Sequence, residues 1–278
     1  MSKSFNEINS IEDYSNLLVI DGLNLGFRYK HLGKKQFAEE YIRTVQSFAK
    51  SYEAKKIIIT GDGGSNYRYN LFPEYKNNRK ILKDNQTEEE AKDFEEFLKE
   101  MDRAFSLLEI HYLVLKYKGL EADDIAAYIT KYYSNKFEHT WLISSDKDWD
   151  LLIKDNVSRF SFRTRKEVTL DNWNEHYNYK PEEHISVKVL QGDKGDNVPG
   201  VPGIGDKRAI VLINKYGSAL DIHNILPINQ KQKYIQNLNE FGDTILLNYE
   251  LMDLLSYCEE AIGANVIDIE DKLKGYLQ

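Results

Sequence analysis

The 278-residue chain carries 37 basic and 45 acidic residues, a net charge of −8, and 41% hydrophobic residues. That length suits one large α/β unit or two modest domains with a sizeable core, and the acidic balance argues at first sight against a nucleic-acid partner. The lone cysteine, Cys258, excludes an internal disulfide, and neither a signal-peptide core in "MSKSFNEINS" nor an apolar run of transmembrane length is present, so a cytoplasmic protein with no membrane partner is expected.

In chain order, "LLVID" (17–21), "IIITGD" (57–62), "YLVLKYKGLEADD" (112–124) and "WLISSDKDWD" (141–150) are apolar runs that end in acid, as buried parallel strands would. Between the first two, Phe37, Tyr41, Val45, Phe48 and Ala49 recur at helical spacing. Ile125, Ala126, Ile129 and Tyr133 do the same between the last two. Alternating strands and helices predict an α/β fold with a mostly parallel central sheet flanked by helices. Residues 76–108 form a long insertion: basic "KNNRKILK", then a charged helical run with a stripe of Phe94, Phe97, Leu98, Met101 and Phe105. Residues 76–90 have few apolar anchors and are expected to be mobile without a ligand. After Pro181, suited to the first position of a helix, the strand signal fades. A boundary near 180 divides an α/β core (1–180) from a helical region (181–278).

Nine carboxylates fall in five segments: Asp21, Asp62, Glu121, Asp123, Asp124, Asp146, Asp148, Asp193 and Asp196. A single aspartate after a strand is ordinarily a helix N-cap or turn residue. Four strand ends of one sheet that all carry acid would crowd like charges into the crevice where such sheets bind ligands, and that costs energy without cations. Hard oxygen donors with no His or Cys cluster suit Mg²⁺ or Mn²⁺. A helix beginning at Glu121 puts Glu121 and Asp124 on one face with Asp123 beside them, and Asp146 and Asp148 are close enough to serve two adjacent ions. With nine of the 45 acids set aside, 36 remain against 37 basic residues, a balance of +1, so a nucleic-acid partner is no longer excluded.

"GVPGIGDKRA" (200–209) resembles a helix-hairpin-helix turn, with the whole motif spanning about 185–217. Gly203 and Gly205 let the backbone approach a ligand, the following helix offers free amides, and Lys207 and Arg208 add charge, so the turn suits a phosphate without reading a base.

"VIDGLNLGFR", "GDGGSNYR", "PEYKNNR", "LEADD", "SSDKDWD" and "GDKGDNVPGVPGIG" occur in the order seen in structure-specific 5′-nucleases. Over residues 17–260 the chain resembles the bacteriophage flap endonucleases (5′–3′ exonucleases) and the 5′-nuclease domain of bacterial DNA polymerase I. The resemblance implies a two-metal phosphodiesterase that cuts near the 5′ end of branched or nicked duplex DNA in viral DNA replication, leaving a 5′-phosphate and a 3′-hydroxyl. It implies a helical arch at 76–108, two Mg²⁺ ions that Mn²⁺ replaces, a K⁺ ion at the hairpin turn, and a monomer in the host cytoplasm. Asp21, Asp62, Glu121, Asp123 and Asp146 resemble the first-metal set, which Asp124 supports. Asp148, Asp193 and Asp196 resemble the second, with Asp146 near both. Lys76 and Arg79 resemble the catalytic pair at the scissile phosphate, and Tyr75 a base-stacking aromatic. Arg28 resembles a phosphate contact. Lys188, Lys207 and Lys215 are candidate duplex contacts, and Lys80 and Lys83 would meet the single-stranded end. "GGSN" follows Asp62 where the family often has lysines.

Two rivals are weaker. A non-enzymatic branched-DNA binder would keep the glycine turn and lose the acids. A metal-dependent ribonuclease of the PIN-like class is usually smaller and lacks arch and hairpin. The lack of polymerase sequence after residue 278 leads to the expectation of a free-standing nuclease.

Overall fold

The computed structural model describes residues 15–278. Six strands, β1 (Asn16–Asp21), β2 (Ala54–Gly61), β3 (Leu113–Lys116), β4 (Thr140–Ile143), β5 (Val157–Ser161) and β6 (Lys166–Val168), form one sheet in the order β3-β2-β1-β4-β5-β6. All neighbouring pairs are parallel except the edge pair β5–β6. The first four strands lie where the apolar runs predict. β5 and β6 were not expected. "VSRFS" gives no apolar run, and its Arg159 is accepted into the interior because Asp150 takes the guanidinium, with Nη2 at 2.9 Å from Oδ2.

Helices cover both faces, because strands buried on both sides need two apolar layers. One face carries α1 (Gly22–His31), α2 (Ala38–Ser51) and, after the short α3 (Asn66–Leu71) and α4 (Asn77–Asp84) in the chain, α5 (Glu88–Leu108); α1, α2 and α5 supply its core. In α5, Phe97, Met101 and Phe105 of the predicted stripe are buried, whereas Leu98 is exposed. A capping box starts α5: the Glu90 amide donates to Thr87 Oγ1 at 3.2 Å, and the Thr87 amide donates to Glu90 Oε2 at 2.9 Å. The segment 76–90, expected to lack order, is helical over α4, but α4 buries no residue. The other face carries α6 (Ala122–Tyr133), whose Ile125, Ala126, Ile129 and Tyr133 are all buried.

After the small helix α7 (Trp173–His176), Pro181 opens a 3₁₀ turn into α8 (His184–Gln191). A two-residue hairpin, β7 (Gly192–Asp193) with β8 (Val198–Pro199), leads to α9 (Asp206–Tyr216), α10 (Ala219–Asn224), α11 (Lys233–Glu240) and α12 (Asp243–Met252). The hairpin needs glycine where its strands meet. A Cβ on Gly200 would lie 1.8 Å from the Gln191 oxygen, and Gly192 has φ +72°. Val187 to Ile245 form a separate apolar cluster. The last two helices, α13 (Leu254–Ile262) and α14 (Val266–Leu277), do not join it. Leu254, Cys258, Ile262, Ile269 and Leu273 return to the α6 face of the sheet. Helices α13 and α14 thus lie after residue 180 in sequence but pack on the sheet that precedes it. No helix among the described residues is long and apolar enough to cross a membrane.

His184, at the start of α8, is buried among Trp173, Tyr177 and Tyr179, with Nδ1 2.9 Å from the Tyr179 hydroxyl. Burial, aided by the nearby Lys188 charge, lowers its pKa from 6.5 to about 4. Between these values the unfolded chain binds a proton that the folded chain does not. The stabilisation is therefore complete above pH 6.5 and is lost as pH falls toward 4, by about 3 kcal/mol. Thermal unfolding should show Tm falling over this window, and His184→Gln should flatten the fall. Parallel curves for both proteins would clear His184 as the cause.

Candidate metal centre

Backbone amides fix four of the acids. Asp21 caps α1, its Oδ1 accepting from the Asn24 amide at 3.0 Å, while Ser144 donates to Oδ2 at 2.9 Å. Asp62 Oδ1 accepts from the Ala122 amide at the start of α6 at 3.1 Å. Asp146 Oδ1 accepts from the Asp148 amide at 2.9 Å, and Asp193 Oδ1 from the amides of Gly195 and Asp196 at 2.6 and 3.2 Å. Glu121 is the residue before α6, so the helix starts one position later than the sequence suggests. The capping role ordinary for such aspartates holds for Asp21 and Asp146, and it serves to aim the carboxylates.

Asp21, Asp62, Glu121, Asp123, Asp146 and Asp196 line one cavity of about 330 Å³ beyond the strand ends. Asp146, Asp148 and Asp193 line an adjoining groove of about 850 Å³, so Asp146 borders both. Burial pushes the Asp21 carboxyl well up, with Asp62 and Asp146 adding to it. Burial raises Asp123 likewise, followed by Asp146 and Asp62. Asp146 is pushed up to about 6 by burial and then by Asp148. Among the described residues, no three His, Cys, Asp or Glu side chains are drawn together tightly enough to ligate an ion as placed. The donor set is nonetheless all hard oxygen, and its mutual repulsion is what a divalent cation would relieve.

Basic side chains partly fill that role. Lys76, held at φ +55° with its amide donating to the Asp196 carbonyl at 2.8 Å, pairs with Glu121 and lies 3.6 Å from Asp196. Arg79 pairs with the other Asp196 oxygen. Lys188 is 2.6 Å from Asp148 and 3.6 Å from Asp193. Burial works against the Lys188 ammonium, but Asp148 and Asp193 outweigh it and raise its pKa. Lys188 thus braces the acids, where the sequence suggested a duplex contact.

Asp124 and Tyr75 also differ from expectation. Asp124 turns away from the cavity. Both its oxygens meet Arg68, Nη1 to Oδ2 and Nη2 to Oδ1, each at 2.8 Å. The same guanidinium donates to Glu121 Oε2 at 2.6 Å and, through Nε, to the Leu251 carbonyl at 2.8 Å. Burial pushes the Glu121 carboxyl up, but Arg68 and Lys76 outweigh it and hold the group below its usual range. Tyr75 is only 4% exposed, packed with Val198, Leu251 and Met252, and its hydroxyl donates to Asp196 Oδ2 at 2.8 Å. No base can stack on it as placed. Tyr69, which sequence reasoning passed over, is 43% exposed and lines the acidic cavity. Arg68, the basic residue that remains after Asp62 for a phosphate contact in the sequence, is instead buried, and nothing local marks an arginine for burial.

The remaining residues are spread along the surface. Arg28 lies in the last turn of α1 and borders the larger groove. Lys80 and Lys83 are exposed on α4. At the hairpin turn Gly203 has φ +83° and Gly205 precedes α9. Lys207 points to solvent. Arg208 folds back, its Nη1 2.6 Å from the Gly203 carbonyl and its guanidinium 4.8 Å from the Tyr234 ring centre. Lys215 is exposed near the end of α9.

A parallel sheet with clustered acids beyond its strand ends, followed by a glycine turn between helices, defines a metal-dependent nuclease architecture. Residues 16–180 match the 5′–3′ exonuclease N-terminal resolvase-like domain, and residues 179–272 match the 5′–3′ exonuclease C-terminal SAM fold. The chain belongs to the 5′–3′ exonuclease family. It is 45% identical over 280 residues to the flap endonuclease of Escherichia phage T5, covering 98% of this chain and 96% of that one. It is 32% identical over 219 residues to a 5′–3′ exonuclease of Buchnera aphidicola subsp. Schizaphis graminum, covering 76% and 72%. Its fold matches a bacteriophage T5 flap endonuclease pseudo-enzyme–product complex with DNA and metal ions at a TM-score of 0.90 and 45% identity, over 95% of this chain and all of that one.

Proposed function

We propose that the chain is a structure-specific 5′-nuclease, a flap endonuclease and 5′–3′ exonuclease, that acts as a monomer on branched or 5′-flap DNA in viral replication in the host cytoplasm. The observation that carries this reading is the ring of carboxylates around two adjoining cavities that share Asp146. In this reading Asp21, Asp62, Glu121, Asp123 and Asp146 hold one Mg²⁺, and Asp146, Asp148, Asp193 and Asp196 hold a second, with Mn²⁺ able to replace either. When bound, the ions supply a water of lowered pKa and a Lewis acid for the leaving oxygen. Asp124 acts at one remove, by fixing Arg68 against Glu121.

The chain's own residues do the rest. Lys76 and Arg79 neutralise Glu121 and Asp196 until cations arrive, and are then free to turn to the phosphoryl oxygens. Lys80 and Lys83 extend the positive rim along α4 for the single-stranded end, and Tyr69 offers the exposed ring for its base. Lys207 and the amides at the start of α9 hold duplex phosphate, with Lys215 further along the helix. A K⁺ ion at the glycine turn completes the reading; there it would compete with Arg208 for the Gly203 carbonyl.

A labelled 5′ flap should be cut with Mg²⁺ and left intact in EDTA; uncut flap with Mg²⁺ would overturn the proposal. Lys76→Ala should slow single-turnover cutting by about 10²–10³-fold, with equilibrium binding changed far less. A loss confined to affinity would make Lys76 a tether.

A further inference from the structure

Between α1, α2 and β5 lies a cavity of about 280 Å³ lined by none of the nine carboxylates. Its floor is aromatic: Phe48 of α2 meets Phe160 of β5 edge to face at 5.7 Å, and Phe162 stands beside them. Its rim carries three exposed guanidiniums, Arg28 from α1, Arg43 from α2 and Arg165 from the β5–β6 turn. The acid in the wall, Glu40, is taken by Lys34, and among the described residues none of the three arginines has an ion pair. Arg165 has φ +59°, a conformation in which glycine or asparagine would be cheaper. An arginine kept in that conformation points to a use for its side chain. Arg28 and Phe162 also line the larger groove that holds Asp146, Asp148 and Asp193, so the two spaces adjoin.

We propose that this cavity is a second strand-binding site, holding one nucleotide of the DNA substrate beyond the cut, its phosphate among Arg28, Arg43 and Arg165 and its base against Phe162. Guanidinium forks match phosphate oxygens, and a nucleobase of any identity stacks on an aromatic ring. The site therefore grips a strand without reading sequence. The inference rests on the proposed nuclease function.

Binding of flap DNA is measured by fluorescence anisotropy in EDTA across a salt series, so that nothing is cut. Arg43→Ala with Arg165→Ala should lower the salt slope by about one and weaken binding at 0.1 M salt by roughly tenfold. Single-turnover cutting with Mg²⁺ at saturating protein should stay at the wild-type rate. Arg165→Gly should raise Tm, by relief of the turn, while it weakens binding. A wild-type slope and affinity in the double variant would overturn the site, as would a rise in Tm for Arg165→Gly with binding unchanged. Direct binding of a labelled deoxymononucleotide that vanishes in the double variant, with the flap slope unchanged, would assign the cavity to free nucleotide and overturn the strand proposal. Wild-type protein that shows the full slope but never cuts would break the nuclease reading alone.

Discussion

Asp21→Asn combined with Asp123→Asn should lower cutting by 10³-fold or more and, in the same protein, raise the Tm measured in EDTA. The first effect follows from the loss of two anionic ligands, each amide being a neutral and weaker donor; a factor of 10³ is about 4 kcal/mol in the barrier. The second follows from the cavity itself. Both carboxyls are driven well above their usual range by burial and by neighbouring acids, so at neutral pH their ionised forms oppose folding. Asparagine removes that repulsion and remains a good N-cap at position 21, where the Asn24 amide must be accepted. Each kcal/mol relieved is worth roughly 2–4 °C. Mg²⁺ should then stabilise the wild type far more than the variant, which scanning calorimetry with and without the ion would read. A lower Tm in EDTA for the variant would mean that the acids are structural anchors and that their repulsion is minor.

Arg68→Met should be the most damaging single change to stability. It leaves Asp124, 1% exposed, and Glu121, 2% exposed, without their shared cation. Removing one partner of a buried ion pair costs about 3–5 kcal/mol. Denaturant unfolding should show that loss, and adding Asp124→Leu to Arg68→Met should recover part of it, because one stranded charge is gone. Arg68→Lys should restore little, since an ammonium cannot reproduce the two parallel bonds to Asp124 together with the bond to Leu251. An Arg68→Met protein of wild-type stability would show that Arg68 only fills space.

The acids were legible because parallel strands read as apolar runs, and each run here stops at a carboxylate. Their partners were not. Helical spacing correctly puts Glu121 and Asp124 on one face, but what meets that face comes from Arg68, 53 and 56 positions earlier. The burial of Tyr75 depends on Leu251 and Met252 far along the chain. Lys76 and Lys188 looked like free cations for DNA, yet Glu121 and Asp196 take the first ammonium and Asp148 and Asp193 the second. Long-range charge compensation of this kind leaves no local periodicity to read. The antiparallel edge at β5–β6 escaped for the same reason, since Arg159 in a strand makes sense only with Asp150 beside it.

The return of α13 and α14 to the sheet bears on how the protein comes into being. During synthesis the strands and α6 emerge early, but α6 and one face of the sheet wait for Leu254, Cys258, Ile262, Ile269 and Leu273. Until residues 254–277 have left the ribosome, that face is an uncovered apolar surface of the kind that chaperones bind and that aggregates when left alone. Chains stalled before residue 254 should therefore be protease-sensitive throughout the nascent sheet, with the carboxylates not yet gathered.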